Sequence, residues 1–308
     1  MNARTLGVAL LAAALVAPWF AYPVFLMTAL CFALFACAFN LLLGYAGLLS
    51  FGHAMFFGMA AYLYGHTVKE WGWPPELGIL TGVLGAAALG AVTGALAIRR
   101  QGIYFAMITL AFSQMIFFFC VQVPFTHGED GLQGIPRRAL LGGLIDIRND
   151  RVLYYVVLAI FLFGYAAIYR IIHSPFGQVL KAFRENEQRA LSLGYNATLY
   201  KWLAFVLSAA IAGLAGSTKA MVLQFATLTD VTAAMSGEVV LMALVGGLGT
   251  LIGPVVGAFI IITMQNYLAA TGEWVLVIQG AIFVVIVVAF RKGIVGELAA
   301  LLRGRRKS

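Results

Sequence analysis

The side chains in this chain that could do chemistry are few and far apart. The four histidines, His53, His66, His127 and His173, show no HExxH or other paired-ligand spacing, and no GxSxG nucleophile motif occurs. Cys31, Cys37 and Cys120 lie in apolar runs without metal-ligand spacing, where a thiol packs as a small hydrophobe. Two glycine-rich stretches imitate nucleotide loops and fail in detail. Gly247 to Gly253 has one residue too many for GxGxxG and no soluble strand before it, and Gly216-Ser217-Thr218-Lys219 lacks the Gly-Lys-Ser/Thr order of a phosphate loop. No catalytic group, metal or cofactor is expected. What remains is a sparse polar set within or beside apolar runs: Asn40, His53, Gln114, Lys219, Gln224, Glu238 and Gln265. An ionised group at bilayer depth costs roughly 2.5–3.5 kcal/mol on insertion scales, so such residues turn toward an interior cavity. Lys219 is expected near the outer end of its span with its stem snorkelling, and Glu238 in an external turn. Without an Asp, Glu or His relay, proton or sodium coupling has no visible route. Energy for moving a solute must then come from elsewhere.

Apolar helices have to position these residues. Of 308 residues, 62% are hydrophobic and 10% charged, and the mean hydropathy is +0.95; a soluble domain cannot bury that much apolar surface. The expected fold class is an all-α polytopic membrane protein, a single transmembrane domain over residues 1–308 with no room for a large soluble domain. At roughly 20 apolar residues per span, about eight to ten helices fit, some short or broken. Candidate spans are Leu6 to Phe20, Val24 to Leu43, Phe51 to Val68, Leu77 to Ile98, Gly102 to Val123, Val152 to Ile172, Trp202 to Leu223, Val231 to Gly246, Leu251 to Leu268 and Trp274 to Phe290. The first reads as a retained span, because a second apolar run follows it without a persuasive cleavage site. The net charge of +8 sits at span ends and in the tail RGRRKS, a distribution that suits inner-leaflet contact and not nucleic acid.

The basic clusters at Arg99-Arg100, Arg170 to Lys201 and Arg291 onward assign those segments to the cytoplasm, with residues 124–151 as an outer loop of nearly balanced charge. Both termini are then cytoplasmic and the number of crossings even, so the region from Val231 to Leu268 turns around within or across the membrane. Gly246-Gly247-Leu248-Gly249 and Gly253-Pro254 supply the break. A second glycine-punctuated stretch, Gly44 to Gly52, resembles it as a diverged internal repeat. Non-helical backbone at membrane depth must face protein or water, so both breaks belong inside the bundle. The pairs Gly78/Gly82, Gly90/Gly94, Gly249/Gly253 and Gly253/Gly257 have the GxxxG spacing that lets helices approach closely.

One polar island interrupts the apolar pattern between Ser174 and Lys201. Ser174-Pro175 is an N-cap and N1 pair, Asn186 can cap a second short helix, Gly194 can stop it in a left-handed conformation, and Asn196 can cap the following span. A short helix pair against the membrane, presented to a soluble partner, is the reading these signals support.

Five ordered motifs carry a family resemblance: FNLLLGYAGLLSFGHAMFFGMAAY from Phe39, GIYFAMITLAFSQM from Gly102, HGEDGLQGIP from His127, HSPFGQVLKAFRENEQRALSLGYN from His173 and LVGGLGTLIGPVVGA from Leu244. In these the chain resembles the LivM-type permease subunit of branched-chain amino acid ABC importers. The resemblance implies an ABC importer permease fold in a bacterial inner membrane. It also implies a LivH-like permease partner, two cytoplasmic ATPase subunits and a periplasmic amino-acid-binding protein. A small-molecule substrate and membrane lipid are the other expected partners, with no nucleic acid. Arg184, Glu185, Asn186, Glu187, Ala190 and Gly194 match the family's ATPase-coupling segment within a cytoplasmic loop at 174–201. The translocation path is expected along Gly44, Gly47, Ser50, His53, Gln114, Lys219, Gly247, Gly249 and Pro254. Sister families import urea or other small amides and carboxylates; a stand-alone secondary carrier and an intramembrane enzyme are the further alternatives.

Overall fold

The computed structural model describes residues 12, 14–143, 145–268, 274–289 and 293–297. The expected first span falls partly outside these residues, and the basic tail and the sidedness of both termini lie outside them. Within them the chain is an all-α, multi-pass membrane protein. Helices α1 (Pro23–Asn40, prolonged by a π-helical turn, Leu41–Tyr45), α2 (His53–Lys69), α3 (Pro75–Ala97), α4 (Ile103–Gln122) and α5 (Asp150–His173) are followed by two short ones, α6 (Pro175–Glu185) and α7 (Glu187–Ser192). Then come α8 (Ala197–Leu223), α9 (Ala233–Gly246), α10 (Gly253–Leu268) and α11 (Trp274–Ala289). Among the described residues, α1 with its extension, α3, α4, α5 and α8 are long and apolar enough to cross a membrane; α9 and α10 are shorter apolar helices. Proline stands in the first turn of α1, α3 and α6, where its missing N–H would be unpaired in any case. The span expected from Trp202 starts instead at Ala197, because the Asn196 side chain accepts from Leu199 N, and Lys201 becomes helical.

In lipid there is little hydrophobic drive to bring helices together, so close approach and dispersion must do it. The tightest layer is α2–α3–α8. A Cβ on Gly216 would fall on the Phe57 carbonyl, one on Gly82 on Ser217 Oγ, and one on Gly213 on the Ala86 methyl. Gly78 meets Tyr64 and Val68, while Gly90 and Gly94 meet Ala209 and Phe205, so these spacings act as packing faces. Gly257 packs likewise on the Met242 carbonyl. The Gly249/Gly253 pair does not: Gly249 lies in the turn between α9 and α10 with φ +74°. Helix α1 forms the centre of a second layer, touching α5, α8, α9 and α10.

The two ends of the bundle differ. At one end α6 and α7 form a knob beside the start of α8; at the other, residues 124–149 fold back over the helices. There β1 (Leu132–Gln133) pairs antiparallel with β2 (Phe225–Ala226), and Arg137 donates to Asp150 at 2.6 Å and to the Val222 carbonyl at 2.7 Å. His127 in this segment adopts the left-handed conformation (φ 61°), which favours glycine.

Two helices begin inside the bundle. His53, the first residue of α2, meets Ser208 Oγ at 2.7 Å through Nε2, and Ser208 stands eleven residues into α8, about 16 Å along its axis. The N–H of Ala54 donates to Ser236 Oγ at 3.0 Å, so α2 and α9 start side by side in the interior. Glu238 is therefore part of α9 and not of an external turn.

Candidate functional site

Both glycine-rich breaks arrive at the knob end and touch each other. Helix α1 ends in its wider π-helical turn; the chain then bends at Gly47 (φ 72°), and Leu48 N returns to the Leu42 carbonyl at 3.2 Å. The second break turns at Gly247 (φ 118°) and Gly249 (φ 74°) and is stapled by Thr250, whose Oγ1 donates to the Gly247 carbonyl at 2.8 Å and accepts from Gly253 N at 3.1 Å. Asn40 joins the two. Its Nδ2 donates to the Thr250 carbonyl at 2.9 Å, and its Oδ1 accepts from Gly249 N at 3.0 Å. Gly44 must lack a side chain because a Cβ there would sit on Asn40 Oδ1 and 2.8 Å from Gly249 N. The requirement that irregular backbone inside a membrane be satisfied by protein is met by one buried amide side chain.

The knob is built as its caps predict. Ser174 Oγ accepts from Gly177 N at 3.3 Å, Asn186 Oδ1 from Arg189 N at 3.1 Å, and Gly194 takes φ 89°. Ala190 is buried between Phe183 and Ala197 and anchors α7 on α8. Glu187 accepts from Lys201 Nζ at 2.6 Å and from Gln101 Nε2 at 3.0 Å, tying the knob to α8 and to the α3–α4 turn. Arg184, an exposed residue, lays its side chain along the first break: its Nη1 donates to the Gly44 carbonyl, and its Cγ lies 3.3 Å from where a Cβ on Gly47 would be. Lys181 Nζ stands 5.7 Å from the Tyr45 ring centre. Outward the knob presents Glu185, Gln188, Arg189, Leu191, Leu193 and Tyr195.

The residues expected along one path fall into separate groups. Gly44, Gly47 and Gly249 come together at Arg184, Gly247 lies in the same turn as Gly249 and accepts from Thr250, and Pro254 packs next to Gly246 in the first turn of α10. Ser50 and His53 are wholly buried higher up, with His53 edge-on to Phe39, Phe56 and Phe205. Gln114 is half-buried on α4, one residue past the buried Ser113. Lys219 lies near the far end of α8, but it does not snorkel: Nζ donates to both Asp230 oxygens at 2.6 Å, with both residues buried. Asp230 is missing from the polar set read from the sequence. Its signal was available, since it is the last aspartate of the chain and the only one after Asp150. A groove of about 470 Å³ opens beside the first break, lined by Gly47, Leu48, Leu49 and Phe51 and, from α4, Ile103 and Met107. Its lining is apolar, suited to a hydrocarbon group. Among the described residues, no cluster of three His, Cys, Asp or Glu could hold a metal ion.

Residues 21–287 match the family described as the branched-chain amino acid transport system / permease component. The chain belongs to that family. This branched-chain permease relative is 27% identical over 276 residues to the high-affinity branched-chain amino acid transport system permease protein LivM of Escherichia coli (strain K12), covering 81% of this chain and 64% of LivM. It is 26% identical, with the same coverage, to the LivM protein of Salmonella typhimurium (strain LT2). It thus spans under two thirds of the length of these relatives. No solved structure matches this permease-family chain. Membership in this family speaks for a permease component of a transport system.

Proposed function

We propose that this chain is the membrane-spanning subunit of an ATP-driven importer for branched-chain amino acids, working by alternating access with partner ATPases supplying the energy. The carrying observation is mechanical: a capped helix pair at one end of the bundle is hydrogen-bonded, through Arg184, to the break that joins α1 to α2, and Asn40 ties that break to the one between α9 and α10. In this reading the knob at 174–201 faces the cytoplasm and receives the ATPase on Glu185, Arg189, Leu191 and Leu193, while residues 124–151 face the periplasm and a binding protein. The family description and the LivM relatives support the substrate class, as does the apolar groove by the first break. A second permease subunit completes the path.

The test is gentle purification followed by reconstitution. Co-purifying ATPases and a second permease, with ATP-dependent uptake of labelled leucine, are expected. Uptake by this polypeptide alone, driven by an ion gradient, would instead establish a secondary carrier, and uptake of urea in preference to leucine would move the chain to a sister family.

A further inference from the structure

Arg184 matches the ATPase-coupling segment and remains exposed, yet its guanidinium reaches back to the seam and not out from the knob. It spans the seam at which the first break meets the second: the Gly44 carbonyl accepts from Nη1, and a Cβ on Gly249 would lie 3.0 Å from Nη1 and 3.3 Å from the Gly44 carbonyl oxygen. Gly47 lies under the aliphatic stem of the same side chain. Gly44, Gly47 and Gly249 all leave room for it, and the backbone of Gly47 and Gly249 is left-handed there. The remaining tie at the seam is Asn40, which clamps Gly249 and Thr250 from the α1 side. One cation from the knob and one amide from α1 therefore hold two irregular backbone segments more than 200 residues apart in sequence.

We infer that Arg184 is a positioning residue that carries displacement of the knob to the seam between the two breaks, and not a docking contact for the ATPase. This rests on the importer reading above. The chemistry supports it. A guanidinium has several donors in a planar fork and stays charged in a partly buried setting, so it holds a carbonyl firmly enough to pull on. Glu187, the first residue of α7, fastens the knob to Lys201 and Gln101, so a push on α7 turns the pair about that anchor and moves Arg184 relative to Gly44. The docking face and the transmitting group are then different residues on one short helix pair.

Two measurements test this. In the full chain, Ala46→Cys places a thiol at a buried position directly after the π-helical turn. Adding Arg184→Gln removes a charge-assisted hydrogen bond and is expected to raise the maleimide labelling rate of that thiol about tenfold, while Arg184→Lys restores most of the protection. In the complex with its co-purifying subunits, Arg184→Gln is expected to capture the same amount of ATPase as the unmodified chain but to transport about tenfold less solute per ATP hydrolysed. Unchanged labelling overturns the inference, and so does loss of ATPase capture with labelling unchanged, which would make Arg184 a docking residue. If the unmodified chain captures no ATPase, the importer reading fails, and the labelling arm still decides whether Arg184 holds the seam. Should Arg184→Gln fail to fold, the ratio of transport to hydrolysis in Arg184→Lys decides: an unaltered ratio together with unaltered labelling overturns the inference.

Discussion

Asn40 and Gly249, 209 residues apart in sequence, share a hydrogen bond of 3.0 Å from the Gly249 N–H to the Asn40 side-chain oxygen. With the second bond from Asn40 Nδ2 to the Thr250 carbonyl, one side chain satisfies the backbone of two successive residues of the turn.

Asn40→Ala should therefore destabilise the protein by about 1–3 kcal/mol, because it leaves a donor and an acceptor unpaired in a partly buried place. Asn40→Asp keeps the acceptor for Gly249 N and loses the donor to Thr250, and also brings a charge into the bundle, so it should be no better. Thermal unfolding in detergent, read by loss of monodispersity, checks both.

The Lys219–Asp230 pair pins the segment after α8 against the bundle next to Gly58, where the Asp230 carbonyl oxygen would lie 2.9 Å from an added Cβ. Removing one partner, as in Lys219→Met or Asp230→Leu, should cost about 3–5 kcal/mol, since the other charge is left buried. The double variant Lys219→Met with Asp230→Leu should recover most of that. A thermodynamic cycle over the two single variants and the double variant measures it; a loss in the double variant equal to the sum of the two single losses would show that the two charges do not interact.

Gly216→Ala should be among the most damaging single-methyl changes in the chain. Its Cβ falls on the Phe57 main-chain carbonyl, which cannot move without displacing α2. A loss of about 1–3 kcal/mol is expected from overpacking. Gly237→Ala, with nothing within 4 Å of its added methyl, should be close to neutral and serves as the control.

Gly194 has open space around it, so Gly194→Val acts through backbone conformation alone. Holding a β-branched residue at φ 89° costs about 1–2 kcal/mol, enough to refold the end of α7 and shift Leu193 and Tyr195 on the outer face. Reconstituted uptake should fall while the chain still inserts and purifies. ATP-driven uptake at the unmodified level would count against the knob as the coupling element.

What the sequence determined by itself is local or additive. Apolar runs at membrane length set the spans within a few residues. The island's Ser174, Asn186, Gly194 and Asn196 set its two short helices, because a cap is an interaction between neighbours three residues apart. The glycine spacings at Gly78/Gly82 and Gly90/Gly94 told where helices would pack closely, though not against which neighbour. The tertiary structure alone decided the rest. Nothing local says that Asn40 reaches Gly249, that Arg184 turns inward to Gly44, that Lys219 finds Asp230, or that α2 and α9 start side by side at Ala54 and Ser236. Apart from Lys219–Asp230, eleven residues apart, these contacts join segments 140 to 209 residues apart, and in a medium without water a buried polar group takes whichever partner the fold brings near. Periodicity and capping cannot encode that choice, so a polar residue's type predicted that it would be satisfied, and only the packing of the helices determined by what.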